Sequence, residues 1–272
     1  MTGPAPERIR VAAIQTVSAP VVETNLAAAE ASIGAAARAG AQLAVLPEWF
    51  CFIGASERDK LALAEADGAG PIQAFLAQAA ARHRLWLVGG SLPLATGDPD
   101  KVRNACLVFD DTGRRVARYD KIHLFDYTGP DEAYRESRTI EPGREPVAVE
   151  APFGRIALSI CYDVRFPELY RRLAPMDLIT VPAAFTVSTG EAHWETLLRA
   201  RAIENLAWVI AAAQGGEHPT GRRTYGHTMI VSPWGEVVAR RASGPGVVVA
   251  EVDFAQQRRL RQSLPALAHR VL

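Results

Sequence analysis

The stretch RIALSICYDVRFPELYRRLA, residues 155–174, decides how this chain reads. Its apolar run at 156–160 predicts a buried strand, and Pro167 followed by Glu168, Leu169 and Tyr170 predicts a helix with proline in its first turn. Cys161 therefore falls at a strand-to-helix turn. There a side chain is held at a strand's carboxyl end, and nearby backbone N–H groups are available to a thiolate or an oxyanion. A lone cysteine after an apolar run is also the ordinary mark of a small buried hydrophobe. The nucleophile reading therefore needs partners elsewhere in the sequence.

Outward from this turn, apolar and β-branched runs recur at 9–14, 43–46, 85–88, 105–109, 178–181, 208–212, 228–231 and 247–252. Helical patterns fill 24–39, 72–83, 167–173 and 191–206. Strands alternating with helices predict an α/β fold rather than a β-sandwich. Two segments, 107–117 and 230–238, read as hairpins turning at Gly113 and Gly235, so mixed sheets are expected. No repeat, low-complexity linker or charge block divides the chain, and residues 1–272 read as a single domain. The polar stretch 128–146 is too long for a tight turn and predicts a functional loop.

The 272 residues are 49% hydrophobic, with 30 Lys and Arg balanced by 30 Asp and Glu. That length supports a large α/β core. A formal net charge of zero, with no basic block carrying interleaved aromatics, argues against a nucleic-acid partner. No apolar run approaches the roughly 20 residues that cross a bilayer, and the opening MTGPAPERIR lacks an apolar signal core. Cys51, Cys106 and Cys161 form no C-x-x-C pair, which excludes a disulfide framework and predicts a cytoplasmic protein. Histidines are dispersed at 83, 123, 193, 218, 227 and 269 with no H-E-x-x-H, so no metal is expected.

Two further segments deliver an ionisable residue directly after a strand-like run: 43–47 leads to Glu48, and 115–120 leads to Lys121. Ligands of open α/β folds bind beyond the carboxyl ends of strands, so Glu48, Lys121 and Cys161 converging there would form a site. The chemistry of such a group is acyl transfer: a thiolate attacks a carbonyl, a carboxylate carries the proton, and an ammonium faces the oxygen. Each has a plainer reading, as an exposed strand-end carboxylate, a solvated turn lysine and a core thiol. His123, two residues past Lys121, is an alternative base in a Cys/His pair. A lysine beside the thiol is also expected to lower its pKa from the usual value of about 8.5.

The segments LAVLPEWF (43–50), YDKIHLFD (119–126) and ICYDVRFPEL (160–169), in that order, resemble the nitrilase superfamily of carbon–nitrogen hydrolases over residues 11–270. Within it, AFTVSTGEAHWETLLRARAIEN (184–205), AAAQGG (211–216), TYGHTMIVSPWGEVVAR (224–240) and SGPG (243–246) are similar to the Nit-type amidases, above all the deaminated glutathione amidase group. The resemblance implies a four-layer α-β-β-α sandwich, a homodimer formed through helices beside the nucleophile, and no cofactor. A core of about 9–255 is expected, with the tail 256–272 packing on the dimer partner. Cys161 matches the nucleophile, Glu48 the general base and Lys121 the oxyanion-stabilising lysine. Glu136, in YRES (134–137), matches the glutamate that supports the lysine, and the backbone N–H of Tyr162 is the expected second oxyanion donor.

The implied reaction converts a small carboxamide to a carboxylic acid and ammonia through a thioester, with deaminated glutathione as the expected substrate. Alternatives are an ω-amidase acting on 2-oxoglutaramate-like amides, an N-carbamoyl amino acid amidohydrolase, a nitrile hydrolase, and a non-catalytic dimeric binding protein. Carboxylates on such substrates call for a cation, for which Arg165 and Arg199 are candidates. Phe185 and Thr186, past the predicted strand at 178–181, are expected to line the pocket.

Overall fold

Apolar runs that alternate small and β-branched residues become the strands of two stacked sheets in the computed structural model, which describes residues 6–129 and 133–271. Residues 1–5 of the opening segment, 130–132 of the polar stretch and Leu272 of the expected tail lie outside the described residues. In chain order the first half runs β1 (Arg8–Gln15), α1 (Val22–Arg38), β2 (Leu43–Val45), α2 (Pro71–His83), β3 (Trp86–Val88), β4 (Leu92–Ala95), β5 (Val102–Phe109), β6 (Arg115–Asp120), β7 (Asp126–Thr128) and β8 (Ala133–Arg135). The second half runs β9 (Ala148–Ala151), β10 (Gly154–Leu158), α3 (Pro167–Leu173), β11 (Leu178–Ala183), α4 (Val187–Asn205), β12 (Trp208–Ala213), β13 (Gly215–Glu217), β14 (Arg223–Tyr225), β15 (Thr228–Val231), β16 (Val237–Arg241), β17 (Gly246–Asp253) and α5 (Phe254–Ser263).

One sheet has the order β17-β1-β2-β3-β5-β4, with β6 on β5, and the other β16-β15-β12-β11-β10-β9. Both are mixed: in the first β1, β2 and β3 pair in parallel while β17, β5 and β6 join antiparallel, and in the second β10, β11 and β12 pair in parallel while β9, β15 and β16 join antiparallel. The period of two in a strand sends alternate side chains to opposite faces. In β1, Ile9, Val11 and Ala13 enter the core shared with the second sheet, whereas Ala12 and Ile14 enter the core beneath α1 and α2. On the other side, Trp194, Leu198 and Ala202 of α4 join the core of the second sheet. The layers are thus helix, sheet, sheet, helix. Burial on both faces explains why these strands read as nearly continuous apolar runs.

Helix α4 begins at Val187, four residues before the expected 191, because the Thr186 hydroxyl accepts the N–H of Thr189 as an N-cap. The polar stretch starts at the end of β7 and includes β8, which pairs with β7, followed by a 3₁₀ turn at Glu136–Arg138. The expected partner-bound tail contains α5, which Asp253 caps by accepting the N–H of Gln256 at 2.7 Å. Gln257 of this helix donates to the Asp177 and Leu206 carbonyls, and Arg261 pairs with Asp177 at 3.1 Å. Residues 254–263 are therefore fastened to their own chain.

Candidate active site

Five strand ends converge at one end of the stacked sheets. Strand β2 leads to Glu48, β6 to Lys121, β10 to Cys161, β11 to Ala184 and β12 to Gln214. Strand β6 is antiparallel to β5, which is itself antiparallel to β3, so β6 runs in the same direction as β2 and β3 and ends on the same side. Gln214 fixes the Glu48 turn from the second sheet by donating to the carbonyls of Glu48, at 3.1 Å, and Trp49, at 3.2 Å.

Both turns that carry reactive side chains are strained. Cys161 has φ of 50° and Trp49, directly after Glu48, has φ of 54°, in the left-handed region that L residues seldom occupy. The surroundings enforce the Glu48 turn from the other side: a Cβ at Gly90 (φ 61°) would lie 2.1 Å from the Pro47 carbonyl oxygen, so only glycine fits there. The Cys161 turn is held by Asp163, which is fully buried. One carboxylate oxygen accepts the Ile160 N–H at 2.9 Å and the Tyr119 hydroxyl at 2.7 Å. The other accepts the His123 N–H at 3.0 Å. Asp163 therefore ties the cysteine turn to the residues on either side of Lys121.

Glu48 is 2% exposed. Its Oε1 accepts Lys121 Nζ at 2.9 Å and Asn104 Nδ2 at 2.8 Å, and its Oε2 accepts the Ala184 N–H at 2.9 Å. Lys121, also 2% exposed, donates to both oxygens of Glu136 at 2.9 Å as well. Its three ammonium protons thus match three carboxylate oxygens. Glu136 is in turn fixed by the Phe125 N–H at 2.6 Å. The structure brings all four matched residues together, three of them in one buried ion network.

Burial works against the charge of Glu48, but the Lys121 ammonium and hydrogen bonds from Lys121, Cys161 and Asn104 outweigh it and hold the carboxyl below its ordinary value. Burial likewise opposes the charge of Lys121, yet Glu136 and Glu48 raise its pKa well above that of an ordinary lysine. Cys161 moves the opposite way from expectation. Burial and the Glu48 charge push its thiol well up, and the opposing pull of Lys121 and the Ala184 N–H is weaker. The lysine faces carboxylates, so its charge is largely neutralised before it reaches the sulfur. The resting pair is a neutral thiol hydrogen-bonded to an ionised glutamate. Cys51 and Cys106 are plain core thiols, each pushed up to about 12 by burial.

His123, the alternative base, is engaged by Asp163 rather than by Cys161. Its Nδ1 lies 2.7 Å from Asp163 Oδ1, and its ring stacks on Phe166 with centroids 3.7 Å apart.

A cleft of about 350 Å³ opens over these groups, lined by Glu48, Trp49, Glu57, Lys121, Phe125, Tyr134, Glu136, Cys161, Ala184 and Arg222. It continues in two directions. One lobe, of about 200 Å³, shares Phe125, Cys161 and Ala184 and adds Tyr162, Phe185, Thr186 and Thr189. The other, of about 280 Å³, shares Trp49, Glu57 and Arg222 and adds Lys60 among its walls. Phe185 and Thr186 line this first lobe, and Tyr162 follows the cysteine in the first 3₁₀ turn, where helical N–H groups are not yet taken up by the helix itself.

The two predicted arginines are placed otherwise. Arg165 stands behind the wall, its guanidinium 5.7 Å from the ring centres of both Tyr162 and Phe185 and 3.2 Å from His193 Nδ1. Arg199 donates to the Gly235 carbonyl at 2.8 Å and does not reach the cleft; this corrects its expected contact with substrate, since i to i+4 spacing spends its charge on Glu195. Arg222, an arginine that does line the cleft, has no neighbour in sequence that marks it. Asn104 had a signal: a fully buried amide inside the apolar run of β5 needs a polar partner.

A family model described as carbon–nitrogen hydrolase matches residues 10–262. A Synechocystis protein named deaminated glutathione amidase is 44% identical over 266 residues, covering 96% of this chain and 97% of that protein. Among solved structures, Saccharomyces cerevisiae Nit3, described as a member of branch 10 of the nitrilase superfamily, superposes with a TM-score of 0.89 at 29% identity, covering 98% of each chain. A variant of the amidase from Nesterenkonia sp. AN1, described as carrying a covalent acetamide moiety at its active-site cysteine, gives a TM-score of 0.79 at 27% identity, covering 96% of this chain and 97% of that one.

Proposed function

The chain belongs to the carbon–nitrogen hydrolase family, and from that membership we propose that Cys161, Glu48 and Lys121 are its catalytic residues, that Glu136 supports them, and that deaminated glutathione is its substrate. It is an amidase of the nitrilase superfamily. The observation that carries the residue roles is the buried contact of one ionised carboxylate, Glu48, with both the thiol of Cys161 and the ammonium of Lys121.

In this mechanism Glu48 accepts the thiol proton as Sγ bonds to the amide carbon. The carbonyl oxygen becomes an oxyanion facing Lys121 and the Tyr162 N–H. Protonation of Glu48 weakens its ion pair with Lys121 at that moment, which frees an ammonium N–H for the oxyanion. The proton then passes to the amide nitrogen, the C–N bond breaks and a thioester remains. Water attacks the thioester as Glu48 takes its proton; the C–S bond breaks, and the proton returns to the sulfur. The products are a carboxylic acid and the amine, which is ammonia only for a primary amide. For deaminated glutathione cut at its former γ-glutamyl bond, the amine is a dipeptide.

Assay of deaminated glutathione, 2-oxoglutaramate and an N-carbamoyl amino acid, following the released amine or ammonia, tests the substrate. The highest kcat/KM is expected for deaminated glutathione; a larger value for 2-oxoglutaramate would assign an ω-amidase instead.

The pH profile tests the base. Glu48 is held below the ordinary value of 4.5, so the carboxylate form is present above that pH and is lost as pH falls through its depressed pKa. The acid limb of kcat/KM is therefore expected below pH 4.5 in protein that is still folded, with a plateau across neutrality. A limb between about 6 and 7, where an ordinary histidine titrates, would reject Glu48 as the ionised base.

The homodimer and the cytoplasm belong to this same reading. Ile203 on α4 and Trp234 in the adjoining β15–β16 turn are 48% and 57% exposed, an apolar pair on the helical side where a second copy would pack. All three cysteines are free thiols, which suits a reducing compartment.

A further inference from the structure

The direction in which a substrate lies across Cys161 follows from the proton. Glu48 returns the proton to the leaving nitrogen, so the leaving group points toward Glu48, and the acyl chain takes the opposite lobe toward Phe185 and Thr189. Past Glu48 the cleft runs along Trp49 to Glu57, Arg222 and Lys60. The sign of charge changes along this path. Glu48 and Glu136 outnumber Lys121, leaving one net negative charge at the centre, whereas Lys60 and Arg222 outnumber Glu57, leaving one net positive charge at the far end.

The two far cations are built into the wall and incompletely used. Lys60 is 8% exposed, lies 4.9 Å from the centre of the Trp49 ring and spends its charge on Glu57 at 2.5 Å. Arg222 lies 5.5 Å from the Tyr134 ring centre and reaches Glu57 only at 3.4 Å. Its Nε is buried and has no hydrogen-bond partner among the described residues. A buried guanidinium donor left without an acceptor is costly, and a carboxylate is the group whose geometry satisfies it.

Resting on the amidase reading above, we propose that Arg222, assisted by Lys60, is a specificity-determining residue that receives a carboxylate carried by the leaving group. The preferred amide nitrogen then belongs to an amino acid or short peptide with a free carboxyl end rather than to ammonia. A carboxylate on the leaving group is repelled by the Glu48 and Glu136 region and attracted at Arg222, so the charge gradient along this lobe draws that end away from the reacting carbonyl.

The test compares kcat/KM for deaminated glutathione with that for the same molecule bearing a primary amide in place of its C-terminal carboxylate, in the unaltered enzyme and in Arg222→Gln. The unaltered enzyme is expected to favour the free acid by roughly 10- to 100-fold, mostly in KM, as for one charge-assisted hydrogen bond. Arg222→Gln should shrink that ratio at least tenfold, and Arg222→Lys should recover part of it; thermal melts establish that each variant is folded. Equal rates on both forms in the unaltered enzyme, or a ratio unchanged in folded Arg222→Gln, overturn the assignment while the amidase reading stands. Hydrolysis of neither form overturns the substrate reading and this assignment together.

Discussion

Replacing Cys161 by alanine is expected to abolish amide hydrolysis, lowering kcat on the order of 10⁶-fold, as loss of a covalent nucleophile does in other acyl-transfer enzymes. The rest of the machinery survives the change: Glu48 keeps its bonds from Lys121, Asn104 and the Ala184 N–H, so a residual reaction with water is the most that remains. Folding should be little affected. Only a sulfur at the floor of the cleft is lost, and alanine meets the same left-handed backbone at φ 50° that cysteine already tolerates. The measurement is amine release together with intact mass. Unaltered protein mixed with substrate should show a species heavier by one acyl group, and Cys161→Ala should show none. Turnover of Cys161→Ala above about 1% of normal would rule out a thioester, since general acid–base catalysis alone supplies only about 10²- to 10⁴-fold.

Lys121→Met should damage both stability and activity. The substitution leaves the Glu48 and Glu136 carboxylates facing a site from which their shared cation has gone, at positions 2% and 7% exposed. Removing one partner of a buried ionic group costs about 3–5 kcal/mol. The protein relieves this by holding one carboxyl protonated, which raises its folded pKa above the unfolded one. The penalty is thus small below the unfolded pKa and grows as pH rises past it, opposite in sign to the unaltered Glu48, whose depressed pKa contributes stability above the unfolded value. Denaturant midpoints at pH 5 and pH 8 should separate the two proteins more at pH 8. Activity should fall at least 10²- to 10³-fold, the effect of losing one oxyanion donor. Adding Glu136→Gln should return much of the stability without returning the rate. A Lys121→Met protein within about 0.5 kcal/mol of the original at pH 8 would mean that the buried carboxylates do not depend on this cation, a change no larger than that of an ordinary surface substitution.

Glu48, Lys121 and Cys161 were each legible because a reactive side chain ended an apolar run, and the period of a strand is a local property that survives without tertiary information. Asp163 and Ala184 were not, and Asn104 showed only as an amide beside an apolar run, with no sign of its partner. Their parts are played through a buried carboxylate, a single side-chain amide and a backbone N–H whose partners lie 40, 56 and 136 positions away in the chain. The missed helix α5 shows the same limit: it is strongly polar, and its attachment comes from an Asp253 cap and from Gln257 and Arg261 reaching carbonyls near residues 177 and 206.

The protonation of the cysteine separates the two levels of information most sharply. From sequence, a lysine near a thiol argues for a lowered pKa, because opposite charge favours the thiolate. The folded arrangement reverses the direction, since two glutamates take up the ammonium before the sulfur feels it and burial disfavours the anion. Sequence by itself determined the α/β class and the three residues that converge, because burial patterns and turn positions are written locally; the layering and the family came through the motifs that resemble the nitrilase superfamily. Tertiary structure alone decided which cation reaches the cleft, which charges cancel, and that Glu48 rather than His123 faces the thiol. Those outcomes depend on distances between strand ends, and no local pattern in the chain encodes them.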